Sequence, residues 1–339
     1  MHKYQFRHAS GGPRGPCAIP GEPSNPGDRV GGMADPLVVS VPDSRLANAL
    51  GTLPDSVEIV EWDFEGAPPR SRIDLIVPPY MGGSSRLGRL AEVSSRLVQS
   101  QSIGYDGVDD LLPEGVVYAN ASTVHETATA ELALTLTLAA QRGLPEFVRN
   151  AESGTWKSRM TPGLADKNVM ILGYGGVGRA IEDRLLPFET TVVRVASKPR
   201  SDDRGTVHGV AELPELLPDV DILIVVTPLT PKTAGLVGDD VLGALPDGAL
   251  VVNVARGPVA DTEALVRHAT EGRIRLALDV TDPEPLPEDH PLWTLPGVLI
   301  SPHVGGASSA MLPRMAALVR RQIDHLLADE EPENIVLRT

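Results

Sequence analysis

The sequence predicts an α/β protein whose strands run mainly parallel. Two observations carry that prediction. Short apolar runs alternate with helix-length stretches in two successive series, and a glycine-rich turn at 171–180 stands between a strand and a helix. At 339 residues the chain is long enough for two domains, each with its own core.

Residues 1–36 are dense in Gly and Pro and lack hydrophobic periodicity. They read as a disordered leader, a tag or a misplaced start with Met33 as the true one, and carry no signal-peptide core. The first series follows: LVVSV (37–41), VEIVEW (57–62), IDLIV (73–77), LVQSQSI (97–103) and VVYAN (116–120) read as strands. Gly, Pro and polar turns separate them, with amphipathic pieces such as SSRLGRLAEVSSR (84–96). ATAELALTLTLAAQR (128–142) is apolar nearly all round, so a helix there should be buried on most sides, in part by a second subunit.

The second series holds NVMIL (168–172), TVVRVA (191–196), DILIVVT (221–227), ALVVNV (249–254), IRLALDV (274–280) and GVLIS (297–301). Six strands with helix-length spacers suit a doubly wound dinucleotide fold. Near the end, LPRMAALVRRQIDHLLADEE (312–331) places Leu312, Met315, Val319, Ile323 and Leu326 on one helical face.

Composition narrows the function. A formal net charge of −15 argues against nucleic-acid binding, which wants a basic face. A single cysteine, Cys17, excludes an internal disulfide framework and fits a reducing, cytoplasmic setting. No apolar run reaches membrane-spanning length; the most apolar, 130–140, is too short. No metal site is expected.

The motif ILGYGGVGRA (171–180) contains G-x-G-x-x-G as Gly173, Gly175 and Gly178. It follows a strand and opens a helical pattern, which is the context the motif requires. Gly173 makes the tight turn, Gly175 lets backbone approach a pyrophosphate, and Gly178 lets helix and strand pack closely. Gly176 and Val177 open the helix, whose N-terminus offers oriented N–H donors to an anion. A ligand-free glycine turn is the blander alternative. An NAD site would carry an Asp or Glu at the end of the next strand. VVRVASKPR (192–200) has Ala196 and Ser197 there, then Lys198 and Arg200. A hydroxyl and two cations suit a 2′-phosphate, so the stretch reads as an NADP pocket in preference to NAD. The alternative is a solvated basic turn, and Asp202 and Asp203 weaken the local field.

Three polar residues follow successive strands: Arg256 in VVNVARG, Glu284 in LDVTDPEP and His303 in ISPHVGG. Carboxyl ends of parallel strands form the ligand crevice, so the three should converge near the cofactor. Singly, each has a bland reading: a structural guanidinium, a solvated carboxylate, a buried imidazole.

At these residues the sequence resembles the D-isomer-specific 2-hydroxyacid dehydrogenases. GYGGVG, TPLTPKTAGLV (227–237), VNVARGPVADTEAL (252–265), ALDVTDPEPLPEDHPLW (277–293) and SPHVGGAS (301–308) together carry the resemblance, which covers residue 37 to the end. It implies two domains, a doubly wound Rossmann nucleotide domain (125–305) inserted into a flavodoxin-like substrate domain (37–124 and 306–339), in a homodimer. It also implies hydride transfer between NAD(P)H and a small 2-oxo acid, with His303 as proton donor, Glu284 orienting the ring and stabilising its charge, and Arg256 binding the substrate carboxylate and polarising its carbonyl. Backbone N–H groups of Ile103 and Gly104 would hold the carboxylate from the other domain. Pro228 and Asp279 would line the coenzyme, Asp279 near the carboxamide. Tyr80 and Met81 stand near the substrate side or are core or turn residues.

Glyoxylate and hydroxypyruvate are the leading substrates. A Gln would be expected at position 284 in formate dehydrogenases, and no regulatory domain follows residue 339, which disfavours long-form phosphoglycerate dehydrogenases. A phosphoglycerate dehydrogenase-like enzyme without that domain stays open. So does a dinucleotide-sensing corepressor-like binding protein, which would keep the same three polar residues.

Overall fold

The computed structural model describes residues 35–80 and 84–339. The expected leader lies outside the described residues apart from Asp35 and Pro36, and Met81 lies outside them too. The chain divides into 1–35 and 36–339, and the description below concerns the second unit. Among the described residues two sheets form, one of six strands and one of eight.

The first sheet begins with β1 (Leu37–Val41), followed by helix α1 (Ser44–Leu50), whose N-terminus Asp43 caps by accepting from the Arg45 and Leu46 N–H groups. Then come β2 (Val57–Glu61), β3 (Leu75–Ile76), β4 (Leu97–Gln99) and β5 (Val117–Ala119). They lie side by side as β2-β1-β3-β4-β5, all parallel, the flavodoxin-like order. Between β3 and β4 the amphipathic stretch forms a 3₁₀ helix, Ser84–Glu92.

The chain then crosses to the second sheet through α2 (Glu126–Arg142) and α3 (Leu144–Glu152), joined at Gly143 in the left-handed region (φ 68°). Helix α2 buries Ala128, Ala130, Ala133, Leu134, Leu136 and Thr137, while Glu131 and Thr135 face out. The chain itself thus covers most of this apolar helix, setting it against α4 (Gly176–Leu185) and the sheet.

The eight strands are β6 (Asn168–Leu172), β7 (Thr191–Ala196), β8 (Arg200–Asp202), β9 (Gly205–Gly209), β10 (Ile222–Val225), β11 (Ala249–Asn253), β12 (Ile274–Leu278) and β13 (Val298–Ile300). Their order is β13-β12-β11-β10-β6-β7-β9-β8, the doubly wound arrangement with its reversal between β6 and β10. Every residue of β10 and β11 is buried, as expected where helices cover both faces. Short helices α5 (Leu213–Leu216), α6 (Asp239–Ala244) and α7 (Thr262–Thr270) fill the connections. Six strands were expected; the two additional ones are the β8–β9 hairpin.

Helix α8 (Met311–Leu327) returns to the first sheet and packs on α1. Met315, Leu318, Val319, Ile323 and Leu326 are buried, each stabilising by roughly 1.5–3 kcal/mol. Leu312 does not join the stripe and stays 40 % exposed; in the first turn Met311 packs against the core instead. Strand β14 (Ile335–Arg338) closes the first sheet antiparallel to β5. The buried Gln322 side chain anchors it, exchanging hydrogen bonds with the Glu333 backbone and donating to Gln99 Oε1.

Candidate active site

The glycine turn behaves as its spacing demands. Gly173 has φ 110°, and a Cβ there would lie 2.6 Å from the Thr227 backbone nitrogen, so only glycine lets β6 and the loop after β10 approach. Gly178 faces the Gly173 carbonyl at 3.1 Å in the same sense, bringing α4 down on the strand. At Gly175 a Cβ would meet nothing within 4 Å. That open space lies at the N-terminus of α4, where Gly176 and Val177 begin the helix, so the turn fits a pyrophosphate. Pro228 lies exposed beyond β10, its carbonyl accepting from the Thr233 hydroxyl at 2.6 Å.

At the edge of this turn, Ser197, Lys198 and Arg200 are exposed. Arg200 donates to the Tyr174 carbonyl at 2.8 Å, tying the hairpin to the glycine turn. Asp202 and Asp203 are engaged by Arg179, at 2.6 and 3.1 Å. Their charge is therefore compensated locally, and the field at Lys198 and Arg200 is less weakened than the sequence suggests. Below lies Glu182, buried, accepting from Tyr174 Oη and from the guanidinium groups of Arg194 and Arg204.

His303 stands in the loop after β13 with φ 52°, and its Nδ1 lies 2.5 Å from Glu284 Oε1. This fixes the ring and leaves Nε2 for other partners. Asp279, buried at the end of β12, builds the loop. Its Oδ1 accepts from the Ser301 hydroxyl (2.6 Å) and the Val304 N–H (2.9 Å), and its Oδ2 from the Gly305 N–H (2.8 Å). The Asp279 carbonyl also accepts from the His303 N–H at 2.8 Å. Asp279 thus shapes the loop that carries the imidazole.

Arg256 leaves β11 on a turn braced by buried Asn253, which accepts from the Ala255 N–H and donates to the Arg256 carbonyl. Gly257 must be glycine, because a Cβ would lie 1.8 Å from the Thr281 carbonyl oxygen, on the segment leading to Glu284. The Arg256 guanidinium reaches the loop after β4: its Nη2 lies 1.6 Å from where a Gly104 Cβ would sit, and its Nε donates to Asp106 at 3.1 Å. Ile103 precedes Gly104, and its carbonyl accepts from the Asn120 side chain at 2.8 Å.

Tyr80 stacks on His125, ring centroids 5.5 Å apart. His125 is buried where the chain crosses between sheets, its two ring nitrogens facing the carbonyls of Gln101 (2.6 Å) and Gly306 (3.3 Å). Burial pushes the Tyr80 phenol above its ordinary range; the Arg256 guanidinium opposes this and Asp279 adds to it. Tyr80 therefore lies within electrostatic reach of both. Sequence reasoning overlooked Asp106, Asn120, Asn253 and His125. Only Asp106 left a signal, standing two residues past Gly104.

Comparison with known proteins gives the family of the chain. The NAD-binding domain of D-isomer-specific 2-hydroxyacid dehydrogenases matches residues 134–305. The human glyoxylate reductase/hydroxypyruvate reductase is 30 % identical over 284 residues, covering 78 % of this chain and 87 % of that one. A glyoxylate reductase of Thermococcus onnurineus is 34 % identical over 260 residues, covering 72 % and 76 %. The solved structure of an NADPH-dependent glyoxylate/hydroxypyruvate reductase from Sinorhizobium meliloti, in complex with NADP and malonate, aligns with a TM-score of 0.72 at 28 % identity, covering 89 % and 97 %. The chain belongs to the D-isomer-specific 2-hydroxyacid dehydrogenase family. It is a member of a family of NAD(P)-dependent oxidoreductases built from a Rossmann domain and a substrate domain.

Proposed function

We propose that this enzyme reduces a small 2-oxo acid, glyoxylate or hydroxypyruvate, to its 2-hydroxy acid, with NADPH preferred over NADH. The observation that carries the reading is the Arg256 guanidinium lying against Gly104, a cation from one sheet meeting a backbone loop from the other. A cation over free backbone N–H groups is a carboxylate site, and a 2-oxo acid places its carbonyl next to that carboxylate.

The nicotinamide, when bound, supplies the hydride. The glycine turn and the α4 N-terminus would hold the pyrophosphate of the coenzyme, while Pro228 and Asp279 would line the path of the dinucleotide. Ile103 and Gly104 orient the substrate carboxylate, and Arg256 polarises the carbonyl as charge develops on oxygen. His303 donates the proton to that oxygen from Nε2, since Glu284 holds Nδ1. In the oxidation direction the same nitrogen accepts it. Lys198, Ser197 and Arg200, with the nearby acids compensated by Arg179, favour a 2′-phosphate on the adenosine ribose.

We assign residues 37–124 and 306–339 to the substrate domain and 125–305 to the nucleotide domain. We also assign a homodimeric state and a cytoplasmic setting. Exposed apolar residues on α3 and the segment after it support the dimer, and the single cysteine supports the setting. Among the described residues no helix is long and apolar enough to cross a membrane.

The test is a panel of 2-oxo acids assayed with NADPH and NADH in parallel. Turnover of glyoxylate or hydroxypyruvate, faster with NADPH, is expected. Binding of NADPH with no turnover across the panel would transfer the chain to the corepressor-like reading.

A further inference from the structure

We propose that Asp106 is a positioning residue: it holds the Arg256 guanidinium from the side and latches the two sheets together across the substrate cleft. The inference rests on the reading of Arg256 as the ligand of the substrate carboxylate.

Asp106 and Arg256 are 150 positions apart and belong to different sheets, Asp106 on the loop leaving β4 and Arg256 on the turn leaving β11. Their ion pair therefore exists only when these two loops are together. A guanidinium has five N–H donors. Here Nε donates to Asp106 at 3.1 Å and Nη1 to the Ala255 carbonyl at 2.8 Å. One Nη1 proton and both Nη2 protons have no partner among the described residues. Nη2 lies in the space a Gly104 side chain would fill, so the free donors stand at the backbone proposed to hold the carboxylate. Asp106 takes the Nε–H and leaves these terminal N–H groups to the substrate.

Two opposing effects follow from that placement. A second carboxylate beside Arg256 repels an anionic substrate. It also fixes a long, rotatable side chain and brings the Ile103–Gly104 loop to it. With about a third of each side chain exposed (34 % for Asp106, 28 % for Arg256), solvent screens the repulsion, whereas the geometric constraint is undiminished. Positioning therefore outweighs repulsion, and misplacing a substrate-binding group by about 1 Å costs up to ~100-fold in rate.

The experiment compares the full chain with Asp106→Asn and Asp106→Glu. Expected for Asp106→Asn is a fall in kcat/KM for glyoxylate of about tenfold or more, carried mainly by KM, and an equal loss of affinity for oxalate with the NADP-loaded enzyme. Asp106→Glu recovers part of both. NADPH affinity and thermal midpoint stay at wild-type values, which separates positioning from folding. An unchanged or lowered KM and unchanged or tighter oxalate binding in Asp106→Asn would overturn the proposal, leaving Asp106 as a repelling surface carboxylate. If the wild type neither turns over a 2-oxo acid nor binds oxalate, the functional reading fails on its own. The latch is then judged by X-ray scattering of the NADPH-loaded proteins: a larger radius of gyration in Asp106→Asn upholds it, and equal radii overturn it.

Discussion

A methyl group at Gly104 would lie 1.6 Å from Arg256 Nη2, and one at Gly257 would lie 1.8 Å from the Thr281 carbonyl oxygen. The first obstacle is the far end of a flexible side chain and the second is backbone. Gly104→Ala should therefore fold normally and push the guanidinium aside, raising KM for glyoxylate with little change in thermal midpoint. Gly257→Ala cannot relieve its clash and should destabilise by about 3 kcal/mol, as seen by denaturant unfolding. Equal midpoints for the two variants would show that the Arg256 turn yields. At His303 the expected effect is chemical. With Nδ1 held by Glu284, His303→Gln removes the proton donor and should lower kcat by about 10²–10⁴-fold, leaving NADPH affinity unchanged. Loss of NADPH binding instead would make His303 structural. Arg256, Glu284 and His303 were legible in the sequence because each follows an apolar strand. The pairing of Asp106 with Arg256 was not, because the two stand 150 positions apart and only the folded sheets bring them near.

Among the elements, the β8–β9 hairpin was the least legible. Its first strand, Arg200–Asp202, is polar, and its second offers only Val207 as a buried apolar side chain, so neither gives an alternating pattern. A charge cluster holds it in place instead. Glu182 of α4 accepts from Arg194 of β7 and from Arg204 in the hairpin turn, with the Tyr174 hydroxyl completing its shell. Burial pushes the Glu182 carboxyl up, but the hydrogen bonds from Arg194, Tyr174 and Arg204 outweigh it and hold the group below the usual glutamate range. A carboxyl depressed in the folded state stabilises fully above its unfolded value, and that contribution is lost as pH falls through the folded one. Glu182→Ala should thus destabilise by about 3 kcal/mol at pH 7, because the half-buried Arg194 guanidinium loses its carboxylate, while Arg204 keeps Asp183 at 2.6 Å. The difference from wild type should shrink on acidification, and a pH-independent difference in urea midpoints would show that the carboxylate charge is not involved. The same hairpin carries Arg200. Arg200→Ala should weaken NADPH more than NADH in fluorescence titrations; equal losses would make its bond to the Tyr174 carbonyl its whole contribution.

At the scale of the whole molecule, the parallel run of both sheets and the doubly wound second series follow from strands alternating with helix-length spacers, and this much was legible in the sequence; the flavodoxin-like character of the first sheet came only from the family resemblance. The antiparallel β14 was not, because Ile335–Arg338 is half-buried and too short to separate from a tail. The apolar character of α2 suggested a second subunit, yet most of its apolar surface is covered from within. The uncovered apolar surface lies just beyond it. Leu144 and Val148 of α3 are 50 % and 60 % exposed, and Trp156 and Met160 in the following segment are 99 % and 96 % exposed. Single exposed hydrophobics are ordinary, but four within seventeen residues, one of them a whole indole, support the proposed homodimer interface. A tryptophan buries ~150–250 Å², so covering Trp156 once on each side of a two-fold contributes roughly 4–6 kcal/mol per copy before the costs of association. Light scattering on a sizing column should give twice the 36.0 kDa chain mass for the wild type. The double variant Trp156→Ser, Met160→Ser should elute at the single-chain mass at micromolar concentration, with unchanged far-ultraviolet circular dichroism, since neither side chain packs within its own chain. A wild type that runs as a monomer would remove the homodimer, and a double variant that remains dimeric would move the interface off the segment that follows α3.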